Sequence, residues 1–527
     1  MSGTLSALAQ ETITTPSVSY RALMPIFIVL AGALLGLIAE AVVPHRDRFG
    51  VQVGLCLVSL VAAVVTVALI HGETLTTPSP AGTDPAFAGS LAIDATGLFI
   101  QGTILVLAVM ATLLMAERSV DVGSPIVAAS ALVVGSADDR RLSQTEQVQT
   151  EVFPLLMFAV AGMLIFPISN NLLLMFVALE VLSLPLYLMA GMARRRRLLS
   201  QEAAVKYFLL GAFASAFFLY GLALLYGYAG SVDLPDILRA TNSSTRSDVL
   251  LYVGLALLLV GLLFKAGIAP FHSWTPDVYQ GAPTPVTAFM AACTKVAAFG
   301  AILRVLYVGF STLANDWRPI VWAVAIASMV VGAVFGLTQT DVKRILAYSA
   351  IAQAGFILVG VVSVSADGIS SVLFYLLTYG FTTLAAFGLL MVVRDADGEA
   401  THLSQWSGLA RKSPLVAIVM TILLMSMAGI PLTSGFTSKF FVFRSAYHVA
   451  APLVVIALVC SAIAAFYYLR IVVVMFFAEP PEHGPTIAIP GWSTTVALTF
   501  GVVVTIVLGL FPQPVLDLAG KAAKLTG

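Results

Sequence analysis

Five residues carry ionisable side chains inside stretches that are otherwise apolar: Glu180, Lys206, Lys265, Lys295 and Lys439. A charge at the centre of a bilayer costs about 2.5 to 3.5 kcal/mol on insertion scales, so each needs a partner, water or a function. Lysine suits proton transfer, because burial weakens its hold on a proton and a nearby carboxylate strengthens it. A glutamate that moves toward or away from a lysine would therefore switch it between holding and releasing a proton.

Glu180 and Lys295 each stand about ten residues into their apolar runs. At 1.5 Å per residue that is about 15 Å, too deep for either side chain to reach bulk water. Lys265 and Lys439 adjoin runs that interrupt helices, Phe264 to Pro270 and Gly429 to Ser438. Lys206 lies barely one turn inside its run, beside Gln201 and Glu202, and its long stem could also reach the interface. Arg304, Glu40, Glu151 and Arg470 sit near the ends of apolar runs and are expected to be snorkelling anchors. His272 follows the first break and is either a proton relay or a polar loop residue.

The elements that must position these groups are membrane helices. Hydrophobic residues make up 59% of the 527 and charged residues only 10%, with a mean hydropathy of +0.98, the balance of a polytopic membrane protein. Lys plus Arg equals Asp plus Glu, 27 each, so no bulk charge recruits nucleic acid and the expected surroundings are the lipid bilayer. Cys56, Cys293 and Cys460 are far apart with no C-x-x-C spacing, and read as small buried hydrophobes. Neither a dinucleotide or phosphate-binding glycine motif nor H-E-x-x-H occurs, so no cofactor or metal is expected in this chain. Met1 to Tyr20 is polar and lacks the pattern of a cleaved signal, so the first span is expected to be retained.

A crossing needs about 20 apolar residues, and this rule divides the sequence into about fourteen transmembrane helices of an all-α polytopic membrane protein. Residues 1–151 form an N-terminal three-helix region with a polar insertion from Glu117 to Glu151. Residues 152–308 and 319–477 form two five-helix blocks, and 478–527 hold a C-terminal helix. The spans at 249–280 and 414–447, seventh and twelfth in order, are too long for one straight crossing and carry proline in mid-run, so both are expected to be discontinuous. Breaks five spans apart make the second block an inverted copy of the first, an architecture that places sites near the midplane. Basic residues concentrate in alternate loops, above all Arg194 to Arg197, with Arg46, Arg48, Arg140, Arg141, Lys343, Arg344, Arg411 and Lys412. This puts that side in the cytoplasm and both termini outside, although Arg239, Arg246 and Arg318 fall on the other side. Arg194 to Arg197 read as a topology anchor beside anionic lipid.

The run Leu262 to Thr287 (LLFKAGIAPFHSWTPDVYQGAPTPVT) closely resembles the signature of the antiporter-like subunits of respiratory complex I. So do Ala204 to Ser215 (AVKYFLLGAFAS), Ala347 to Gly355 (AYSAIAQAG) and Ala428 to Leu432 (AGIPL) leading to Lys439. The resemblance spans nearly the whole chain. Lysine rather than glutamate in the twelfth span, and a chain end soon after the fourteenth, favour the N-type branch of that family. The insertion at 117–151 is longer than the family pattern.

The resemblance implies a proton-translocating subunit of a bacterial NADH-quinone oxidoreductase in the inner (plasma) membrane, with other membrane subunits as partners. NADH, FMN, iron-sulfur clusters and quinone would then belong to partner subunits. Glu180 and Lys206 or Lys265 would form the switch pair, Lys295 would relay, and Lys439 would exchange protons with the opposite side. A subunit of a multisubunit cation/proton antiporter is the alternative, and a purely structural scaffold a third reading.

Overall fold

The computed structural model describes residues 19–76, 89–120, 125–127, 136, 148–243, 247–395, 398–480 and 486–526. Most of the 117–151 insertion, with Arg140 and Arg141, lies outside the described residues, as do Met1 to Val18 and Arg246.

The chain is built from α1 (Tyr20–Val42), α2 (His45–Thr76), α3 (Ala95–Met115), α4 (Val152–Ile165), α5 (Leu172–Ala190) and α6 (Arg197–Ala229). These lead into α7 (Leu234–Ser243), α8 (Asp248–Ala266), α9 (Trp274–Gly281), α10 (Thr284–Gly309), α11 (Ala314–Thr338), α12 (Val342–Val362) and α13 (Ala366–Val392). The last four are α14 (Pro414–Ala428), α15 (Ser434–Phe477), α16 (Trp492–Leu510) and α17 (Gln513–Ala522). Among the described residues, 12 helices are long and apolar enough to cross a membrane; Val152–Ile168 and Pro414–Ala428 are apolar but shorter.

Helices that are apolar all round must face either protein or lipid. Here α3, α10, α12 and α13 are enclosed by other helices, while Val58, Phe213, Leu458 and Phe466 project outward from α2, α6 and α15. Lipid tails offer no less apolar contact than leucine, so helix association depends on close fit at small residues. A Cβ on Gly221 of α6 would meet Leu258 N of α8 at 2.5 Å, and one on Gly332 of α11 would meet Ala352 N of α12 at 2.5 Å.

Both expected breaks are present and share one capping device. α8 ends at Gly267 (φ +68), whose successor Ile268 donates its N–H back to Leu263 O at 3.0 Å. α14 ends at Gly429 (φ +86), and Ile430 donates to Met425 O at 3.0 Å. This is the Schellman arrangement, in which glycine takes the left-handed position without a Cβ clash. Proline then prevents the helix from continuing, and the chain restarts at Trp274 and at Ser434, the latter capped by the Thr433 hydroxyl. α15 is itself bent at Ala450 (φ −144), two residues before Pro452.

Two elements depart from the sequence expectation. Residues 393–395, 398–399 and 486–487 form a three-stranded antiparallel sheet outside the helices. The tail after α16 turns back as α17, where Thr96 donates to Ala522 O at 2.5 Å and Thr526 N to Asp94 at 3.0 Å.

Candidate functional site: a line of buried lysines

Antiparallel packing of α5 on α6 fixes the depth of the first groups. Tyr187 meets Tyr207 with ring centroids 4.6 Å apart, and Phe176 meets Phe218 at 6.1 Å. That register sets Glu180 level with residue 214, eight residues beyond Lys206, which is about 12 Å along the helix. Glu180 and Lys206 are therefore not paired. One carboxyl oxygen of Glu180 is buried and receives no hydrogen bond from the described residues.

Lys265 occupies the interval between them. Its Nζ donates to Ser183 Oγ at 2.8 Å, one turn from Glu180, and to the Tyr207 hydroxyl at 3.2 Å, the residue next to Lys206. Tyr207 is held by stacking on Trp274 of α9, centroids 4.6 Å apart. The indole N–H of Trp274 in turn donates to Phe264 O at 3.0 Å, a carbonyl at the break that also accepts the Gly267 N–H. Lys265 is buried and makes no ion pair among the described residues.

Lys206 sits at the end of the bundle where Arg194 to Arg197 lie. It pairs with Glu202 at 2.6 Å and with Asp277 of α9 at 2.7 Å, and its side chain is 41% exposed. Asp277 also takes Arg344 Nη1 of α12 at 2.8 Å. Sequence reasoning missed Asp277, although it is a carboxylate inside the overlong span 249–280, which was the signal that could have found it.

Lys295 lies on the face of α10 toward α12, where its Nζ donates to Ala350 O at 2.5 Å and stands 5.6 Å from the Tyr379 ring centroid. A π-helical segment, Met290–Thr294, immediately precedes it. Such an insertion rotates the following residues relative to a regular helix and is common at functional positions.

Lys439 reaches back across the second break to the carbonyls that the end of α14 leaves free. It donates to Met427 O and Ala428 O, each at 3.0 Å, and to Ser461 Oγ at 2.9 Å, which uses all three N–H bonds of the ammonium. Lys439 also lines a cavity of about 380 Å³ shared with Phe440, Arg444, His448 and Ser461. Lys439 at the second break thus satisfies carbonyls that the helix end leaves without backbone partners, whereas Trp274 at the first adds a second donor to a carbonyl already in the cap. His272 is part-buried, and its Nδ1 has no partner among the described residues.

Two anchors expected from the sequence behave differently. Arg304 does not snorkel: it is fully buried and pairs with Asp94 at 2.8 Å, donating also to Pro167 O at 2.7 Å, Asn170 and Thr526 O. Its five N–H donors match this set of acceptors inside the bundle better than a route to the surface. Arg194 and Arg197 are buried as well, and Arg196 donates to Thr401 Oγ1 at 2.6 Å. The cluster therefore packs on the loop after α13 rather than splaying into lipid. There a cavity of about 50 Å³ is lined by Arg194, Arg195, Arg196, Lys343, Arg394 and Glu399. Burial pushes the Glu399 carboxyl up, but Lys343 at 3.0 Å, the Thr284 hydroxyl and Arg394 outweigh it and hold the group below its ordinary value.

Residues 169–464, which contain all five candidate residues, match the family model described as NADH:quinone oxidoreductase/Mrp antiporter, transmembrane. The chain is 57% identical over 514 residues to NADH-quinone oxidoreductase subunit N of Saccharopolyspora erythraea, covering 96% of this chain and 98% of the relative. It is 50% identical over 537 residues to subunit N of Mycobacterium tuberculosis, with 97% and 99% covered. The chain belongs to the subunit N family. A chain of the respiratory complex I structure from Thermus thermophilus with bound aureothin superposes on this family member with TM-score 0.73 and 34% identity, over 94% of this chain and 99% of that one. A chain of the Mrp complex from Dietzia shares the fold at TM-score 0.77, but with 22% identity.

Within this subunit N family member, further buried polar groups that sequence reasoning passed over surround the lysines. Gln353 and Ser349 of α12, Tyr375 of α13 and Tyr468 of α15 form one hydrogen-bonded cluster. None is charged, so none stood out against an apolar run.

Proposed function

We propose that this chain is the proton-translocating, antiporter-like membrane subunit of an NADH-quinone oxidoreductase, a translocase subunit without a redox centre of its own. Quinone reduction in partner subunits supplies the energy, about 2.3 kcal/mol for each charge moved against 100 mV. The observation that carries this reading is the seating of three buried lysines, Lys265, Lys295 and Lys439, on hydroxyls and carbonyls rather than on carboxylates. An ammonium without a counterion is costly inside a protein, and the cost falls when the proton leaves.

In this reading Lys265, not Lys206, is the immediate partner of Glu180, because it lies one turn away through Ser183. Lys206 connects the axis to the charged mouth through Asp277, Lys295 relays along α12, and Lys439 exchanges protons with the opposite side through the cavity at Arg444 and His448. The fourteen-crossing count follows if Val152–Ile168 spans, α14 continues into the first arm of α15, and the second arm crosses separately. The matched caps at Gly267 and Gly429 support the inverted repeat of 152–308 and 319–477, flanked by 1–151 and 478–527. Basic loops in the cytoplasm then leave both termini outside, in a bacterial inner membrane beside other complex I subunits.

Neutral replacement of each lysine in the purified complex, followed by NADH-driven proton uptake in proteoliposomes, tests the reading. Loss of pumping with electron entry retained is expected. Wild-type pumping after Lys265→Met would remove it.

A further inference from the structure

One carbonyl is shared between Lys439 and a neutral side chain. Met427 O accepts from Lys439 Nζ at 3.0 Å and from Gln353 Nε2 at 2.9 Å. A carbonyl oxygen offers two lone pairs, and each donor draws on the same partial charge, so a second donor weakens what the first obtains. Gln353 cannot easily turn aside. Its Oε1 accepts from the Tyr375 hydroxyl, and Nε2 also reaches the Tyr468 hydroxyl at 3.4 Å, which is bonded to Ser349. Gln353, Tyr375, Tyr468 and Ser349 are all buried. Ser349 adjoins Ala350, whose carbonyl seats Lys295.

We infer that Gln353 is a positioning residue that sets how tightly Lys439 holds its proton, by competing for the Met427 carbonyl at the second helix break. The inference rests on the reading of Lys439 as a proton-exchanging group. In the ammonium form Lys439 takes Met427 O, Ala428 O and Ser461 Oγ. When the proton leaves, Gln353 keeps Met427 O satisfied, so that carbonyl is not orphaned. The amide therefore favours release and lowers the penalty of the neutral state.

The titratable or charged groups on the elements around Lys439 are Arg444, Tyr447 and His448 on its own arm of α15, Cys460, Tyr467, Tyr468 and Arg470 on the other arm, Asp367, Tyr375 and Tyr379 of α13, Lys343, Arg344 and Tyr348 of α12, and Asp316 and Arg318 of α11. α14 and α16 bring none. Of these, only His448 ordinarily titrates near neutrality.

The test is the pH profile of NADH-driven proton translocation by the whole purified complex in proteoliposomes. Gln353→Met removes the competing donor at similar volume. The alkaline limb is expected to move upward by about half to one pH unit, the size of one hydrogen bond's influence on a proton equilibrium. The same shift is expected in a His448→Gln background. Gln353→Glu, whose ionised form leaves the carbonyl to Lys439 and adds an attracting charge, is expected to move the limb further in the same direction. A merely structural role would lower the amount of assembled complex without moving the limb. An unmoved or acid-shifted limb in both Gln353 variants, with Lys439→Met inactive, overturns the inference alone. A Lys439→Met complex that still pumps overturns the reading beneath it.

Discussion

Replacing Lys265 with methionine separates a structural lysine from a functional one. Methionine keeps nearly the length of the side chain and removes the ammonium. The losses are the hydrogen bonds to Ser183 Oγ and the Tyr207 hydroxyl, at about 1.5 to 3 kcal/mol each for a charged donor. Ser183 retains a bond to Leu179 O, so only Tyr207 is left short. Against this stands the desolvation of a buried ammonium, still several kcal/mol after relaxation, with no carboxylate within ion-pair distance among the described residues. The two terms are of similar size, so the variant is expected to be as stable as the parent or up to about 3 kcal/mol more stable. NADH-driven pumping should nevertheless disappear. The assay pairs thermal unfolding of the detergent-solubilised complex with proton uptake in proteoliposomes, and reduction of an artificial electron acceptor reports an intact redox arm. A variant that pumps normally but unfolds several degrees lower would refute the reasoning, since the lysine would then serve the fold.

Other outcomes follow from the same geometry. Arg304→Met leaves Asp94 buried without its cation and should cost about 3 to 5 kcal/mol, whereas Arg304→Met with Asp94→Asn should recover much of that loss in thermal unfolding. Glu399, held below its ordinary value of 4.5, stabilises the fold fully above that pH and loses the contribution as pH falls through its lower folded value. Acid unfolding of Glu399→Gln should therefore lack that part of the parent's pH dependence, and equal slopes would show that the pair with Lys343 is inert. Gly221→Val places methyl groups against the α8 backbone, where even a Cβ meets Leu258 N at 2.5 Å; the assembled complex should fall sharply in yield, and normal yield would show that α6 and α8 can part.

Much of this architecture was legible in the residues. Apolar run lengths located the 12 helices that are long and apolar enough to cross a membrane among the described residues, and Gly267 to Pro270 and Gly429 to Pro431 marked both breaks, because glycine and proline act through the local backbone. The depth count placed Lys295 in the interior, and the adjoining breaks marked Lys265 and Lys439, which are buried as well. What could not be read was partnership. The run of α5 and α6 gives no register, so the 12 Å offset that separates Glu180 from Lys206 emerged only from Tyr187 on Tyr207 and Phe176 on Phe218. Arg304 lay near a span end, where snorkelling is the default, and its inward turn depends on Asp94, over two hundred residues away. Gln353 is neutral and sits in an apolar helix, so the Met427 carbonyl it shares with Lys439 belongs to tertiary structure alone.

The central claim is that buried lysines of this chain carry the translocated proton. Lys295 tests it most directly, because it is fully inside the bundle, rests on one backbone carbonyl and takes no part in either helix break. In proteoliposomes containing the complex with Lys295→Met, the initial rate of NADH-driven proton uptake should fall at least tenfold while artificial-acceptor reduction stays at the parent rate. Proton uptake at the parent rate in that variant would contradict the claim.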